Sequence, residues 1–238
     1  MYYNQRDYAD IPYPHASKPN ATVASGGCGV VCASMIVEAF CGDGCFPPDK
    51  SAMFSIACGA REHTGTNMRT LAASVARSYG LEYTTTSDEN VLREWLKNGG
   101  WAIANIGGDR SGYKAVFCTT GHYVVVRGVS ADGRAIILDP DYYTGKFRIN
   151  GRAGRVELHY PDVLVSLETL HQDTLNRSPN YYLFKREETP VEQNEPSAWA
   201  KESWEKAVQL KVFDGTNPKE PLTREQAAAV LDRLGLLK

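Results

Sequence analysis

The chain has 238 residues, enough for one full domain together with a smaller unit. Its 26 Lys and Arg residues and 28 Asp and Glu residues give a net charge of −2, which argues against a protein that coats nucleic acid or an anionic membrane surface. Six cysteines are too dilute for a disulfide scaffold in a chain that can bury a continuous core.

The amino terminus, MYYNQRDYAD, has neither the basic region nor the apolar region of a secretory signal. No apolar run reaches the roughly 18 residues of a membrane span. We therefore expect synthesis in the cytoplasm without a signal peptide and without membrane insertion. Cysteines made in a cytoplasm stay reduced, which favours a thiol that serves chemistry or binds metal.

Apolar residues at helical spacing predict four helices in the first half of the chain, after an irregular opening rich in Tyr and Pro. The predicted helices cover residues 28–40, 49–60, 67–79 and 88–98. Two of them begin at an Asp or Asn in the N-cap role, and one ends before Gly80.

The second half changes to the alternation that is typical of strands, with a hairpin signal at Asp132-Gly133. The predicted strands cover residues 101–106, 122–129, 134–139, 146–150 and 181–185. Helices followed by an antiparallel sheet define an α+β fold rather than alternating βαβ units.

The sharpest change in composition is EETPVEQNEP at residues 187–196, where four Glu and two Pro leave almost nothing to bury. Apolar periodicity returns after this segment. We therefore predict a main domain at residues 1–186, a linker at 187–196 and a small module at 197–238.

Cys28 lies in the segment SGGCG directly before the first apolar helix, so its thiol belongs to the first helical turn. Amides at a helix N-terminus stabilise a thiolate, the form that attacks a carbonyl carbon, and the glycines leave room for a substrate. The alternative is a tight turn with an ordinary cysteine. Acyl transfer also needs a donor to the oxyanion, for which Gln5 is the candidate, although alone it would be an unremarkable surface glutamine.

A cysteine nucleophile needs a base, and among five histidines His122 is the candidate. His122 begins the strand HYVVVRGV, where a side chain can face a cleft. The next strand ends in Asp139, a carboxylate after four apolar residues, which would orient His122 or form an ordinary Asp-Pro turn. A two-residue turn would pair Asp139 with Val126, on the same face as His122 but four residues away, so a bulge, a slipped turn or strong twist must close the gap.

Four segments resemble, in order and spacing, the papain-like cysteine peptidases of the bacteriocin-processing (double-glycine leader peptidase) type. The segments are YYNQRDYADIPY, TVASGGCGVVCASM, GHYVVVRGV and AIILDP. They are more closely similar to the stand-alone members found in bacterial and phage cell-wall hydrolases. The resemblance covers residues 1–186 and implies a papain-like fold, with helices packed on an antiparallel sheet.

The resemblance implies a role for each matched residue. Cys28 would be the nucleophile, His122 the general base and acid, and Asp139 the residue that orients His122. Gln5 would supply the side chain of the oxyanion hole. The chain departs from the family where Val-Val-Cys follows Cys-Gly, which places a second sulfur, Cys32, one helical turn from the nucleophile.

The spacing of the cysteines leaves a metal site open as an alternative. Cys28-x3-Cys32 and Cys41-x3-Cys45 could form a tetrahedral site, although structural zinc sites more often use two-residue spacing and Cys32 fits a buried apolar position. Cys41 and Cys45 are the pair expected to oxidise or bind metal if any pair does. Cys118 is expected in the core.

The tail predicts two amphipathic helices, the first carrying Trp199, Trp204 and Leu210 and the second capped at Thr223 by TREQ. Two helices bury little surface alone, so the tail would pack on a second copy in a dimer or higher oligomer, on the main domain or on a ligand. Residues 197–238 resemble a single S-layer-homology module of Gram-positive wall proteins and phage lysins, which implies wall attachment. A simple packing hairpin is the alternative.

These observations predict a peptidoglycan hydrolase, an endolysin of a phage or prophage, that cleaves an amide in the stem peptide or cross-bridge of a Gram-positive wall. Its partners would be peptidoglycan and an associated wall polymer, with no nucleic acid, and it would need no metal and no cofactor. Three alternatives stay open: an N-acetylmuramoyl-L-alanine amidase with the same triad, a leader-peptide processing peptidase, and a non-catalytic wall-binding protein.

Overall fold

A computed structural model describes residues 1–186, 195–213, 215–216, 218–219 and 222–237. Contacts divide the chain into two units, residues 1–186 and 187–238. Most of the predicted linker, residues 187–194, lies outside the described residues. Within the described ranges, no helix is both long enough and apolar enough to span a bilayer.

The main unit, which is described throughout, contains six α-helices. These are α1 (Val23–Gly26), α2 (Cys28–Cys41), α3 (Pro48–Ala57), α4 (Met68–Tyr79), α5 (Glu89–Lys97) and α6 (Leu167–Thr174). The four predicted helices are confirmed as α2 to α5, each within three residues of its predicted ends. The side chain of Asn67 caps α4 by accepting from the N–H of Thr70, and Gly80 ends that helix with a φ of 60°.

In the main unit, nine strands form a large sheet and a separate hairpin. They are β1 (Arg61–Glu62), β2 (Gly65–Thr66), β3 (Leu81–Thr86), β4 (Trp101–Ile106), β5 (His122–Val129), β6 (Ala135–Leu138), β7 (Val156–His159), β8 (Asp162–Val165) and β9 (Tyr181–Arg186). The hairpin pairs β1 with β2. The large sheet has the order β3-β9-β4-β5-β6-β8-β7, and all its pairings are antiparallel. The α+β fold class is confirmed.

Two features of the main unit differ from the sequence prediction. The predicted strand at 146–150 is wrong, because Lys146–Arg148 forms a 3₁₀ turn after Gly145, whose φ is 89°. Lys146 and Phe147 are both buried there, so the segment turns inward instead of pairing with a strand. Strands β1, β2, β3, β7 and β8 and helices α1 and α6 are additions that the sequence does not predict. The alternation of β7 carries little information because three of its four residues are exposed.

Helices cover both faces of the sheet, which explains its composition. On one face, Met35 of α2 and Leu71 of α4 share a core with Val125 of β5. On the other face, Leu170 of α6 packs in a core with Val124. Because neighbouring residues of β5 are buried in opposite cores, this strand is a run of valines rather than an alternation of apolar and polar residues.

The second unit contains two described helices, α7 (Lys201–Gln209) and α8 (Arg224–Arg233). The predicted cap of α8 is confirmed, since the N–H of Gln226 donates to the hydroxyl of Thr223 over 3.1 Å. Trp204 of α7 stacks on Phe213 with 5.1 Å between ring centroids. The predicted first helix is shorter than expected, because Trp199 lies before α7 and is 89% exposed.

Candidate active site

The register of β5 and β6 determines how close His122 and Asp139 come. The predicted pairing of Asp139 with Val126 is wrong, because Val126 pairs with Ile137. The loop between the strands spans residues 130–134, and a bulge after Val126 shifts the pairing once more. Both irregularities bring Asp139 closer to the start of β5 than a regular two-residue hairpin would.

Asp139 and His122 are joined by a buried hydrogen bond. The Nε2 atom of His122 lies 2.8 Å from Oδ1 of Asp139, and the Asp139 side chain is completely buried. The N–H of Asp141 donates to the same oxygen over 3.0 Å, which fixes the carboxylate after the end of β6. Since Nε2 faces Asp139, the Nδ1 atom is the imidazole nitrogen left for a second partner.

A buried cation that the sequence does not indicate completes the surroundings of Asp139. The Nζ atom of Lys146 lies 2.7 Å from Oδ2 of Asp139 and donates to the carbonyl of Asp141 over 3.2 Å. Burial alone would raise the pKa of Asp139, but the Lys146 charge and the His122 hydrogen bond hold it well below its usual range. The sequence predicts a strand at Lys146 and gives no partner for its charge. The 3₁₀ turn Lys146–Arg148 is what brings the ammonium to the carboxylate of Asp139.

Cys28 and His122 are joined by a side-chain hydrogen bond. Burial tends to raise the pKa of the Cys28 thiol, yet the hydrogen bond and charge of His122 and the backbone of Tyr123 and Gly29 lower it overall. The pKa of the His122 imidazole shifts in the opposite direction, upward. Burial opposes its protonation, but hydrogen bonds to Asp139 and Cys28 raise the pKa of His122 to about 9. The pair therefore favours a thiolate next to an imidazolium, the reactive form of a catalytic cysteine.

Gln5 lies beside the same cleft. It begins the 3₁₀ turn Gln5–Asp7, and its backbone N–H donates over 2.6 Å to the carbonyl of Pro140, the residue after Asp139. The Nε2 atom donates one hydrogen to the carbonyl of Ala24 over 3.1 Å, which leaves its second hydrogen for another acceptor. Gln5 and Cys28 line one cleft together.

Two clefts, of about 520 Å³ and 560 Å³, meet at Cys28. Both are lined by Cys28, Thr64, Thr120, Gly121 and His122. The first cleft is bordered by residues 117–121, part of the loop for which the sequence predicts no element. An extended molecule could therefore lie across the sulfur with groups on both sides of it.

The glycines around Cys28 have different functions. A Cβ at residue 29 would lie 2.7 Å from the Cβ of Thr66, and a Cβ at residue 27 would lie 2.6 Å from the carbonyl oxygen of Val23. Gly27 and Gly29 are therefore required for packing rather than for access of a substrate. Only Gly26 fits the predicted access role, because it lines the first cleft and a Cβ at that position would meet no atom within 4 Å.

The remaining cysteines do not form the alternative metal site in this structure. All six cysteines are free, and among the described residues no group of three or more His, Cys, Asp or Glu side chains could hold a metal ion. Cys32 is fully buried in α2, as predicted. Cys118 is only partly in the core, because it also lines the first cleft, and burial raises its pKa to about 12.

The fold and the site together define an α+β protein in which a cysteine, a histidine and a buried aspartate contact one another beside two clefts. The chain is similar to a solved structure from Bacillus anthracis that is described as a C39-like peptidase. The sequence identity is 14%, the TM-score is 0.48, and the match covers 77% of this chain and 92% of that chain. No family model and no curated protein matches the sequence.

Proposed function

We propose that this protein is a cysteine-dependent hydrolase of amide bonds. The proposal is carried by one observation, the continuous contact of Cys28, His122 and Asp139 at the junction of two open clefts. Clefts on both sides of the sulfur suit a bond within an extended substrate.

The chemistry follows from the positions of these groups. The Cys28 thiolate attacks the amide carbonyl carbon, and the oxyanion accepts hydrogen bonds from the Cys28 N–H and from Nε2 of Gln5. The imidazolium of His122 protonates the leaving nitrogen, so the C–N bond breaks and a thioester remains. Neutral His122 then removes a proton from water, whose oxygen attacks the thioester and regenerates the thiolate and imidazolium. Asp139 keeps Nε2 of His122 protonated and so directs Nδ1 to the sulfur.

The substrate we propose is the peptide portion of Gram-positive peptidoglycan, cleaved in the stem or the cross-bridge by a phage or prophage endolysin. Support for this substrate comes from the sequence, in the four segments that resemble wall hydrolases and in the tail that resembles a wall-binding module. The enzyme would act at the wall after release from the cytoplasm, and the tail would bind a wall polymer.

Clearance of purified Gram-positive cell walls tests the proposal. The wild-type chain should reduce turbidity and Cys28→Ala should not, whereas Cys118→Ala should keep most activity because its thiol lines the same cleft at a raised pKa. Equal clearance by wild type and Cys28→Ala, or none by either, contradicts the proposal. Mass spectrometry of the products then locates the bond, since new amino termini only on the first L-Ala indicate an amidase instead of an endopeptidase.

A further inference from the structure

The second cleft beside the nucleophile is positively charged. Lys18 and Arg177 line it, and no Asp or Glu of the described residues does. Neither cation has an ion-pair partner in the described part of the chain. Cations without a counter-charge attract anionic ligands, and a cleft with low-dielectric walls strengthens that attraction.

The first cleft contains more charged groups, but most of its cations are paired with carboxylates of the protein. Of its four cations, Arg152 is buried and donates to the carbonyl of Ala115 over 3.1 Å. The other three, Arg6, Lys114 and Lys146, lie 2.7 Å, 2.8 Å and 2.7 Å from the carboxylates of Asp141, Asp109 and Asp139. These pairs neutralise each other within the protein. The two sides of the nucleophile therefore differ in how their cations are held. Those of the first cleft bind carboxylates or a carbonyl of the protein, whereas Lys18 and Arg177 have no ion-pair partner among the described residues.

Arg177 lies next to the catalytic histidine because residue 121 is a glycine. A Cβ at residue 121 would lie 2.6 Å from Nη2 of Arg177, so the guanidinium rests against the backbone that leads into His122. The segment that carries Arg177 is fixed after α6, where its N–H donates to the carbonyl of Thr174 over 2.9 Å.

Lys18 reaches the same cleft from the opening loop of the chain. Reciprocal backbone hydrogen bonds of 3.2 Å and 2.8 Å between His15 and Lys18 close a tight turn, which fixes the position from which the ammonium extends. Two cations from segments far apart in sequence thus converge on one cleft, and both are exposed to solvent and accessible to a ligand.

We propose that the second cleft is a subsite for a carboxylate on the substrate residue that flanks the scissile amide. The inference rests on the proposed function, because a peptide is the substrate and its anionic groups are carboxylates. The guanidinium fork of Arg177 matches a carboxylate in two parallel hydrogen bonds, and Lys18 adds a second charge. In stem peptides, the α-carboxylate of a γ-linked D-glutamate is such a group, since it stands free beside the peptide linkage.

Binding to the full-length Cys28→Ala variant tests the subsite without turnover. The probes are N-acetyl-L-Ala-γ-D-Glu-L-Lys-D-Ala amide and the same peptide with a carboxamide in place of the glutamate α-carboxylate. Calorimetry should give a Kd about tenfold lower for the carboxylate peptide, the size expected for a charge-assisted pair at a partly exposed site. Adding Arg177→Gln should bring the two Kd values close together, and raised salt should have the same effect.

Arg77→Gln is the matched control, since it removes an equal charge from an exposed position near the end of α4. The carboxylate preference should persist in this variant. Equal Kd values in Cys28→Ala, absence of binding by both peptides, or a preference that survives Arg177→Gln overturns the subsite. A carboxylate preference in a protein whose wild type hydrolyses neither peptides nor walls supports the subsite and overturns the proposed function instead.

Discussion

Lys146 and Asp139 form a buried ion pair next to His122, and removing one partner should cost far more stability than removing both. Lys146→Met leaves a buried carboxylate without its cation, which typically destabilises a protein by about 3–5 kcal/mol. We expect a loss of this size in the free energy of unfolding measured with urea.

The same substitution in an Asp139→Asn background provides the control. With the carboxylate already neutral, Lys146→Met should cost much less, and the difference between the two backgrounds measures the coupling of the pair. An equal cost in both backgrounds would show that Lys146 stabilises the fold by packing alone.

The thiol of Cys28 should stay reactive at lower pH than an ordinary cysteine. Its pKa is lowered by His122 against the effect of burial, so alkylation by iodoacetamide should titrate below the usual range. In His122→Ala, burial remains as the main influence on the pKa of Cys28, so the midpoint of its alkylation profile should move to higher pH. Cys118 gives an internal reference, because its pKa of about 12 keeps it protonated throughout. Identical profiles for Cys28 in both proteins would show that the two side chains do not interact.

The candidate site residues that lie at the ends of helices and strands could be predicted from the sequence. Lys146 could not, because its place at the site depends on the tertiary structure. Cys28 and His122 begin α2 and β5, where local signals fix the element, and both side chains line the clefts. Asp139 follows the last residue of β6 in the same way. Lys146 carries no such signal, because its burial depends on a 3₁₀ turn, and the Gly-Lys-Phe run that forms this turn has an ordinary composition.

At the scale of elements, the contact between α2 and the β1-β2 hairpin sets the position of Cys28. Gly29→Ala would place a Cβ 2.7 Å from the Cβ of Thr66, so one of the two elements must move. Overpacking of this kind costs about 1–3 kcal/mol, and we expect a loss of that size in thermal or urea unfolding. Because the shift displaces Cys28, kcat should fall as well.

Gly26→Ala is the control within the same segment. No atom lies within 4 Å of the added methyl group, so stability should not change by more than a few tenths of a kcal/mol. The methyl group enters the first cleft and should raise KM rather than lower stability. A comparable loss of stability in Gly26→Ala and Gly29→Ala would contradict this account of the contact.

The periodicity of the sequence predicts the types of the elements, but it does not predict the register of the β5-β6 hairpin. The spacing predicted β5 and β6 correctly, but the pairing depends on a bulge after Val126 and on a loop at residues 130–134. Arg127 at this bulge extends to Asp162 of β8, with 2.7 Å between Nε and Oδ1. That contact belongs to a strand absent from the sequence prediction, so no local pattern could have revealed the shift that brings His122 and Asp139 together.

At the scale of the whole molecule, catalysis and wall attachment should be separable. The buried hydrophobic residues of the described chain run from Tyr13 to Phe184, all within the main unit, and α7 contains no buried residue. A chain that ends at Arg186 should therefore unfold at a Tm close to that of the full chain. It should also hydrolyse soluble stem peptides with an unchanged kcat/KM.

The same truncated chain should clear intact walls at least tenfold more slowly, since a second binding module raises the effective concentration of an enzyme at its substrate by about this factor or more. Trp199→Ala in the full chain gives a finer test, because a side chain that is 89% exposed can be removed without loss of stability. Reduced co-sedimentation with walls at an unchanged Tm would place Trp199 in the binding surface. Clearance by the truncated chain at the full rate would show instead that residues 187–238 contribute nothing to wall attachment, and the substrate would then have to be held by the two clefts alone.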